Sequence, residues 1–303
     1  MTNLHLKRIS ISALFLGILL LSLWLRLQVV HGIPEGQFSC VDAFLYYAQA
    51  ETITEHGMLP ERDIHRWLPL GRDNTQLLSL YAYALAYTHK ALSVFLPNLS
   101  LYHLSLYHWT LYAPTVCFCI GLAALCLFLY RGYGPLFSSL VGFFMATLPS
   151  AIGRSTAGFS DRDAWCWMLG VLVVMLHVAS LQTQPPRRRW MLTLASGFTM
   201  FLGGLSWEGF GVFGLIILFV ELWQFLTSET EDGLPYYGVW VLTFVPPLYL
   251  ISPAYHNGYG FAKYLTALAL VPPLVLLGMR AFRYLLVSKV ENSSHTHARC
   301  PFV

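Results

Sequence analysis

Apolar runs of membrane-crossing length recur along this 303-residue chain, and that repetition limits its fold more than any single motif does. A helix crosses the hydrocarbon core of a bilayer in about 20 residues and satisfies its backbone polar groups within itself. Such runs fall at about Ile9–Val30, Leu106–Tyr130, Pro135–Ile152, Ala164–Leu181, Trp190–Ser206, Phe210–Leu226, Tyr236–Ile251 and Tyr264–Leu285, about eight in all. Charged residues make up only 11%, against roughly 25% in soluble proteins, which excludes an ordinary water-soluble domain. An all-α polytopic membrane protein follows. The first run, preceded by Lys7 and Arg8, is too long for a signal peptide and has no small-x-small cleavage site after it, so it reads as an uncleaved anchor.

Orientation comes from the short loops, because Lys and Arg concentrate on the cytoplasmic side. With eight spans and a cytoplasmic N-terminus, Lys7, Arg8, Arg131, the Arg187-Arg188-Arg189 triplet, Arg280, Arg283 and Lys289 share one side. Counting Gln76–Leu96 as a further span would break that pattern. The segment is therefore expected to form interfacial helix within a long first outside loop, residues 31–105. That loop holds Asp42, Glu51, Glu55, Glu61, Asp63 and Asp73, an unusual acidic density for so apolar a chain. A net charge of +3 from scattered residues gives no footprint for nucleic acid. Cys40, Cys117, Cys119, Cys126, Cys166 and Cys300 show no CxxC spacing and read as small buried hydrophobes. No internal repeat is visible, and His177 and Glu221 are expected near cytoplasmic helix ends, which argues against ion translocation. Of the two N-x-S/T triplets, at Asn98 and Asn292, only Asn98 falls outside.

Three places could carry chemistry. Asp161 and Asp163 flank Arg162 in a loop just ahead of a span, where two carboxylates can converge on a hard divalent cation. The same pair would also serve to cap a helix and offset its dipole. Asp42 lies at the outside edge of the first span, on the same face as that pair. Ser206-Trp207-Glu208-Gly209-Phe210 joins two spans outside, and a carboxylate at a membrane boundary is costly unless paired or wet. Read structurally, the segment is a hairpin turn, with Gly209 allowing the bend and Trp207 in the aromatic belt, and for Trp207 this reading is the favoured one.

Taken in order, these segments resemble the catalytic subunit of oligosaccharyltransferase. Asp42, followed by Phe44, Tyr46 and Tyr47, matches the second carboxylate of the family's first D-x-D-like motif, with Cys40 in the preceding acidic position. Arg66-Trp67-Leu68-Pro69-Leu70-Gly71-Arg72 is close to its W-x-P-x-G stretch, Arg154 to Asp163 to the segment with its second D-x-D, and Ser206 to Phe210 to its S/T-W-x-G-aromatic turn. The resemblance implies a GT-C transmembrane bundle that transfers an oligosaccharide from a polyprenyl-pyrophosphate carrier to the Asn of an N-x-S/T acceptor polypeptide. It implies Mn²⁺ or Mg²⁺ on Asp42, Asp161 and Asp163, with Asp42 facing the acceptor amide and Arg154 near the carboxylates or phosphate. Trp207 and Glu208 would contact substrate.

The expected domains are a transmembrane domain over 1–288 and a polar cytoplasmic tail over 289–303. The family's soluble domain, with its W-W-D-Y-G motif, is not in the sequence, which implies a fragment, a split enzyme with a companion C-terminal chain, or a degenerate relative. Two other readings stay open. One is another polyprenyl-phosphate-dependent GT-C glycosyltransferase, for which Asp42 is essential and Asp161 and Asp163 are dispensable. The other is a non-catalytic carrier-lipid-binding or transport protein.

Overall fold

The computed structural model describes residues 2–95, 105–257 and 260–297. The Asn98 triplet, Cys300 and the last residues of the polar tail lie outside the described residues. In order, the helices are α1 (Thr2–Leu27), α2 (Val41–His56), α3 (Leu80–Phe95), α4 (Leu106–Thr147), α5 (Pro149–Gly153), α6 (Asp163–Gln182), α7 (Pro186–Gly204), α8 (Gly211–Thr227), α9 (Leu234–Ile251) and α10 (Gly260–His297). A two-stranded antiparallel ribbon, β1 (Arg62–Asp63) and β2 (Arg72–Asp73), interrupts them. Its tip is the Trp67-to-Gly71 turn, with a cis Leu68–Pro69 bond and the Arg72 guanidinium 4.8 Å from the Trp67 ring centre.

All eight expected crossings are helical. Among the described residues, six helical stretches are long and apolar enough to cross a bilayer. The 42-residue α4 contains two of the expected runs, and α7 falls short in hydropathy because Arg187, Arg188 and Arg189 fill its first turn. The arms of α4 separate at Gly134, whose φ of 82° and ψ of 178° no helix contains. Only glycine adopts that conformation without strain, and Pro135 then starts the second arm at a position that suits its fixed φ. The second arm packs back on the first, with the Ser138 hydroxyl donating to the Cys126 carbonyl at 2.6 Å.

Two compact units result. The first is residues 1–175 with 205–207. Here α1 lies along α4, with Ile18 packed among Phe118, Leu122, Cys126 and Ala146. The start of α6 joins them, Trp167 stacking on Phe118 at 4.5 Å. Over the loop, α2 and α3 bury Tyr46, Ala50 and Ile53 against Tyr81, Ala82, Leu85 and Ala86. The described length of α3 is 16 residues.

The second unit is residues 176–204 with 208–303. Trp240 of α9 donates to the Ser196 hydroxyl of α7 at 3.1 Å, and Tyr237 of α9 to the Pro273 carbonyl of α10 at 3.0 Å. His177 and Glu221 are not isolated helix-end residues. His177 Nε2 meets Glu221 at 2.8 Å, Arg280 pairs with both Glu221 and Glu231, and Arg283 also reaches Glu231. In sequence, His177, Glu221, Arg280 and Arg283 are single charges near separate helix ends, and nothing local shows that they meet or that Glu231 joins them.

Candidate metal centre

The centre forms where the loop between α5 and α6 is stitched to the start of α2. Residues 154–162 carry no regular structure, yet hydrogen bonds fix them from three sides. The Ala157 amide donates to the Arg26 carbonyl at 3.1 Å, Gly158 to Leu111 at 2.8 Å, and the Ser160 hydroxyl to the Thr110 carbonyl. Thr115 donates to the Ser155 carbonyl at 3.0 Å. Below the loop, the fully buried Arg26 gives hydrogen bonds to the Ser155 hydroxyl (2.7 Å) and the Ala146 carbonyl (2.9 Å), and it lies 3.7 Å from the Phe118 ring centre. A guanidinium in an apolar bundle stays only where such acceptors surround it. Arg26 therefore makes the end of α1 a fixed platform for the loop.

The stitch itself is one hydrogen bond, from the Ser39 amide to the Gly158 carbonyl at 3.0 Å. It sets Cys40 and Asp42, at the start of α2, beside Asp161. One donor atom from each of Cys40, Asp42 and Asp161 lies within 4.8 Å of the other two, a separation that a shared cation can bridge. Gly158 makes the approach possible. Its φ is +88°, and a Cβ there would come within 2.4 Å of Ile33 Cδ1 and 3.4 Å of the Ser39 hydroxyl. Gly158→Ala is expected to lower thermal stability in detergent by about 1–3 kcal/mol from backbone strain alone. Gly153→Ala, a few residues earlier, should change it little, since an added Cβ there meets nothing. Equal effects from the two would refute the close approach.

The carboxylates differ in their partners. Asp161 is partly buried and accepts the Arg162 amide at 2.7 Å. Burial first, then Asp163 and Asp42, hold its pKa above the usual carboxylate value, against the Arg162 amide and guanidinium. A buried carboxylate beside two others is a site that gains from a cation. Asp42 is exposed, in the first turn of α2. Asp163 begins α6, and its Oδ2 takes the exposed Arg154 guanidinium at 3.1 Å, so it acts on Asp161 through the field and stands outside the three-donor cluster. Tyr46 stands near Asp161 and Asp42, and burial holds its hydroxyl protonated well above the usual range, leaving a neutral donor.

Sequence reading did not single out Arg162, whose Nη1 also reaches the Ser206 carbonyl at 3.4 Å. The D-R-D spacing was its visible signal. It also read Cys40 as a buried hydrophobe, whereas the thiol is partly exposed and within the cluster. Ser206 is fully buried and accepts from Trp165 Nε1 at 2.8 Å, so residues 205–207 belong with the first unit. Trp207 lies there, whereas Glu208 falls in the second unit, where its charge acts on Tyr255.

Relatives share the fold. The chain is 26% identical over 293 residues to the dolichyl-phosphooligosaccharide-protein glycotransferase 2 of Archaeoglobus fulgidus, covering 95% of this chain and 44% of that one. Its fold matches the crystal structure of an Archaeoglobus fulgidus oligosaccharyltransferase in complex with Zn and sulfate, with a TM-score of 0.71 at 17% identity over 94% of this chain and 37% of that one. It also matches the archaeal oligosaccharyltransferase AglB in complex with an inhibitory peptide and a dolichol-phosphate, with a TM-score of 0.68 at 16% identity over 97% of this chain and 35% of that one. The chain thus spans less than half the length of these relatives, and the architecture is the GT-C bundle of a multi-pass integral membrane protein. Residues 15–288, nearly the whole chain, match the family model of the N-terminal part of the oligosaccharyl transferase STT3, and the chain belongs to that family.

Proposed function

We propose that this chain forms the metal-binding membrane portion of an oligosaccharyltransferase, which moves a glycan from a polyprenyl-pyrophosphate carrier to the Asn side chain of an acceptor polypeptide. The observation that carries the reading is the convergence of Asp42 and Asp161, distant in sequence, onto one donor cluster. In this reading the N-terminus is cytoplasmic and the cluster faces the outside or lumen, as the loop charges require.

Asp42 and Asp161 would hold the cation, Mn²⁺ or Mg²⁺ by the preference of carboxylates. When bound, it supplies Lewis-acid charge that offsets the pyrophosphate leaving group. The chain's own groups do the rest. Asp42, exposed, is free to face the acceptor amide and hold its N–H. Arg154 keeps Asp163 paired, and its remaining donors face solvent where a phosphate can approach. Asp163 is assigned to the site through its charge on Asp161. Tyr46 offers a neutral hydroxyl. Trp207 is assigned to substrate contact from its place beside Ser206, and Glu208 from the S-W-E-G-F turn. The segment over 1–288 is the transmembrane domain in this reading, and a companion C-terminal chain would supply acceptor recognition.

The test is transfer of a labelled lipid-linked oligosaccharide to an N-x-T peptide in membranes without the native enzyme. The chain is assayed alone and with the C-terminal portion of a full-length relative. Transfer that needs Mn²⁺ and stops with chelator is expected in at least one arrangement. No transfer in either, with the chain inserted and folded, would overturn the reading.

A further inference from the structure

Cys40 stands where a helix start normally has a capping side chain. It is the N-cap residue of α2, with extended backbone (φ −129°, ψ 139°), and makes no side-chain capping hydrogen bond. Ser, Thr, Asp or Asn is preferred there because an oxygen satisfies a free amide of the first turn, which a thiol does poorly. The thiol is instead partly exposed, and its Sγ lies within 4.8 Å of a carboxylate oxygen of both Asp42 and Asp161.

Building on the metal-binding reading above, we infer that Cys40 is itself a ligand, so that this centre is a mixed thiolate–dicarboxylate site selective for zinc-like cations over Mg²⁺. Mg²⁺ demands octahedral oxygen ligation, whereas thiolates favour softer ions such as Zn²⁺, Co²⁺ and Cd²⁺. Three protein donors leave a fourth position for water or a phosphate oxygen, the pattern of open zinc sites. Tetrahedral zinc at ordinary bond lengths holds its donors roughly 3.5 Å apart, about an ångström closer than the outer limit here. Rotation of the exposed Asp42 and the partly exposed Cys40 side chains can supply that closure. On binding, the S–H bond is lost, the proton passes to solvent and the sulfur lone pair forms the metal bond. Among the described cysteines, Cys117, Cys126 and Cys166 are buried, which makes them internal controls.

The experiment is a Co²⁺ titration of the purified chain in detergent, followed by near-ultraviolet absorption and by calorimetry. Zn²⁺ and Mg²⁺ affinities are measured in parallel for the native chain and for Cys40→Ser, Cys40→Asp and Asp161→Asn. The expected result is a sulfur-to-cobalt charge-transfer band that Cys40→Ser lacks, with Zn²⁺ affinity at least tenfold weaker in that variant. Cys40→Asp should tilt selectivity toward Mg²⁺. Zn²⁺ should also shield Cys40 from alkylation, read by mass spectrometry, while the buried cysteines do not change. Cobalt binding with no such band, and unchanged by Cys40→Ser, would overturn the inference and leave a purely acidic centre standing. No binding of any cation by a folded native chain, with Asp161→Asn indistinguishable from it, would overturn the metal-binding reading as well.

Discussion

Replacing Asp161 by asparagine is expected to act in two opposite directions: the cation-free chain becomes more stable, and the metal-dependent glycan transfer proposed above is lost. The first follows from the raised pKa of this carboxyl, caused mainly by burial and then by Asp163 and Asp42. A carboxyl that holds its proton more tightly in the fold than in the unfolded chain favours the fold at low pH. That contribution is lost as pH rises through the folded-state pKa. At neutral pH the ionised Asp161 therefore works against the fold, and a neutral amide of the same shape removes the cost. The second follows because the asparagine offers no charge to a dication. Lewis-acid stabilisation of a leaving group contributes several kcal/mol, so its loss should slow transfer on the order of a hundredfold or more. Thermal unfolding with chelator should show the variant above the native chain at neutral pH, with the gap closing as pH falls. Added cation should raise the native chain only. A variant less stable than the native chain with chelator would contradict the electrostatic account of the site.

That trade also shows which parts of the centre sequence could reveal. The apolar runs and the loop charges led to the helices, because run length and charge placement are local properties. Asp42 and Asp161 were legible through the order of four motif-like segments. Their convergence was not, since it depends on one hydrogen bond from Ser39 to Gly158 and on backbone that only glycine adopts. The D-x-D spacing of Asp161 and Asp163 could not say which of the two Arg154 pairs with. Helix α6 starts at Asp163, and Arg154 pairs with it. Cys40 was hidden by its residue type, which packs as a small hydrophobe more often than it ligates. Arg26 was hidden inside an apolar run, and its acceptors come from helices distant in sequence.

The other large effect concerns the second unit, where Arg280→Met should cost a large share of the stability. Arg280 is 2% exposed and pairs with two buried carboxylates, Glu221 from α8 and Glu231 from the segment before α9, while its guanidinium lies 5.3 Å from the Tyr237 ring centre. Two guanidiniums, Arg280 and Arg283, face those two carboxylates, and His177 Nε2 donates to the remaining Glu221 oxygen. Such a network as a whole contributes little net, because desolvation offsets attraction. Removing one member strands the others, at about 3–5 kcal/mol. Domains hold only about 5–15 kcal/mol in all, so the loss is severe. Arg280→Lys should rescue poorly, because one ammonium cannot take the place of a planar fork shared between two carboxylates. Adding Glu221→Gln to Arg280→Met should restore part of the loss by removing a stranded charge. Denaturant unfolding in mixed micelles reads all three. A single-variant cost below about 1 kcal/mol, the range of surface pairs, would mean that water reaches these groups and that the cluster does not clamp α6, α8 and α10 together.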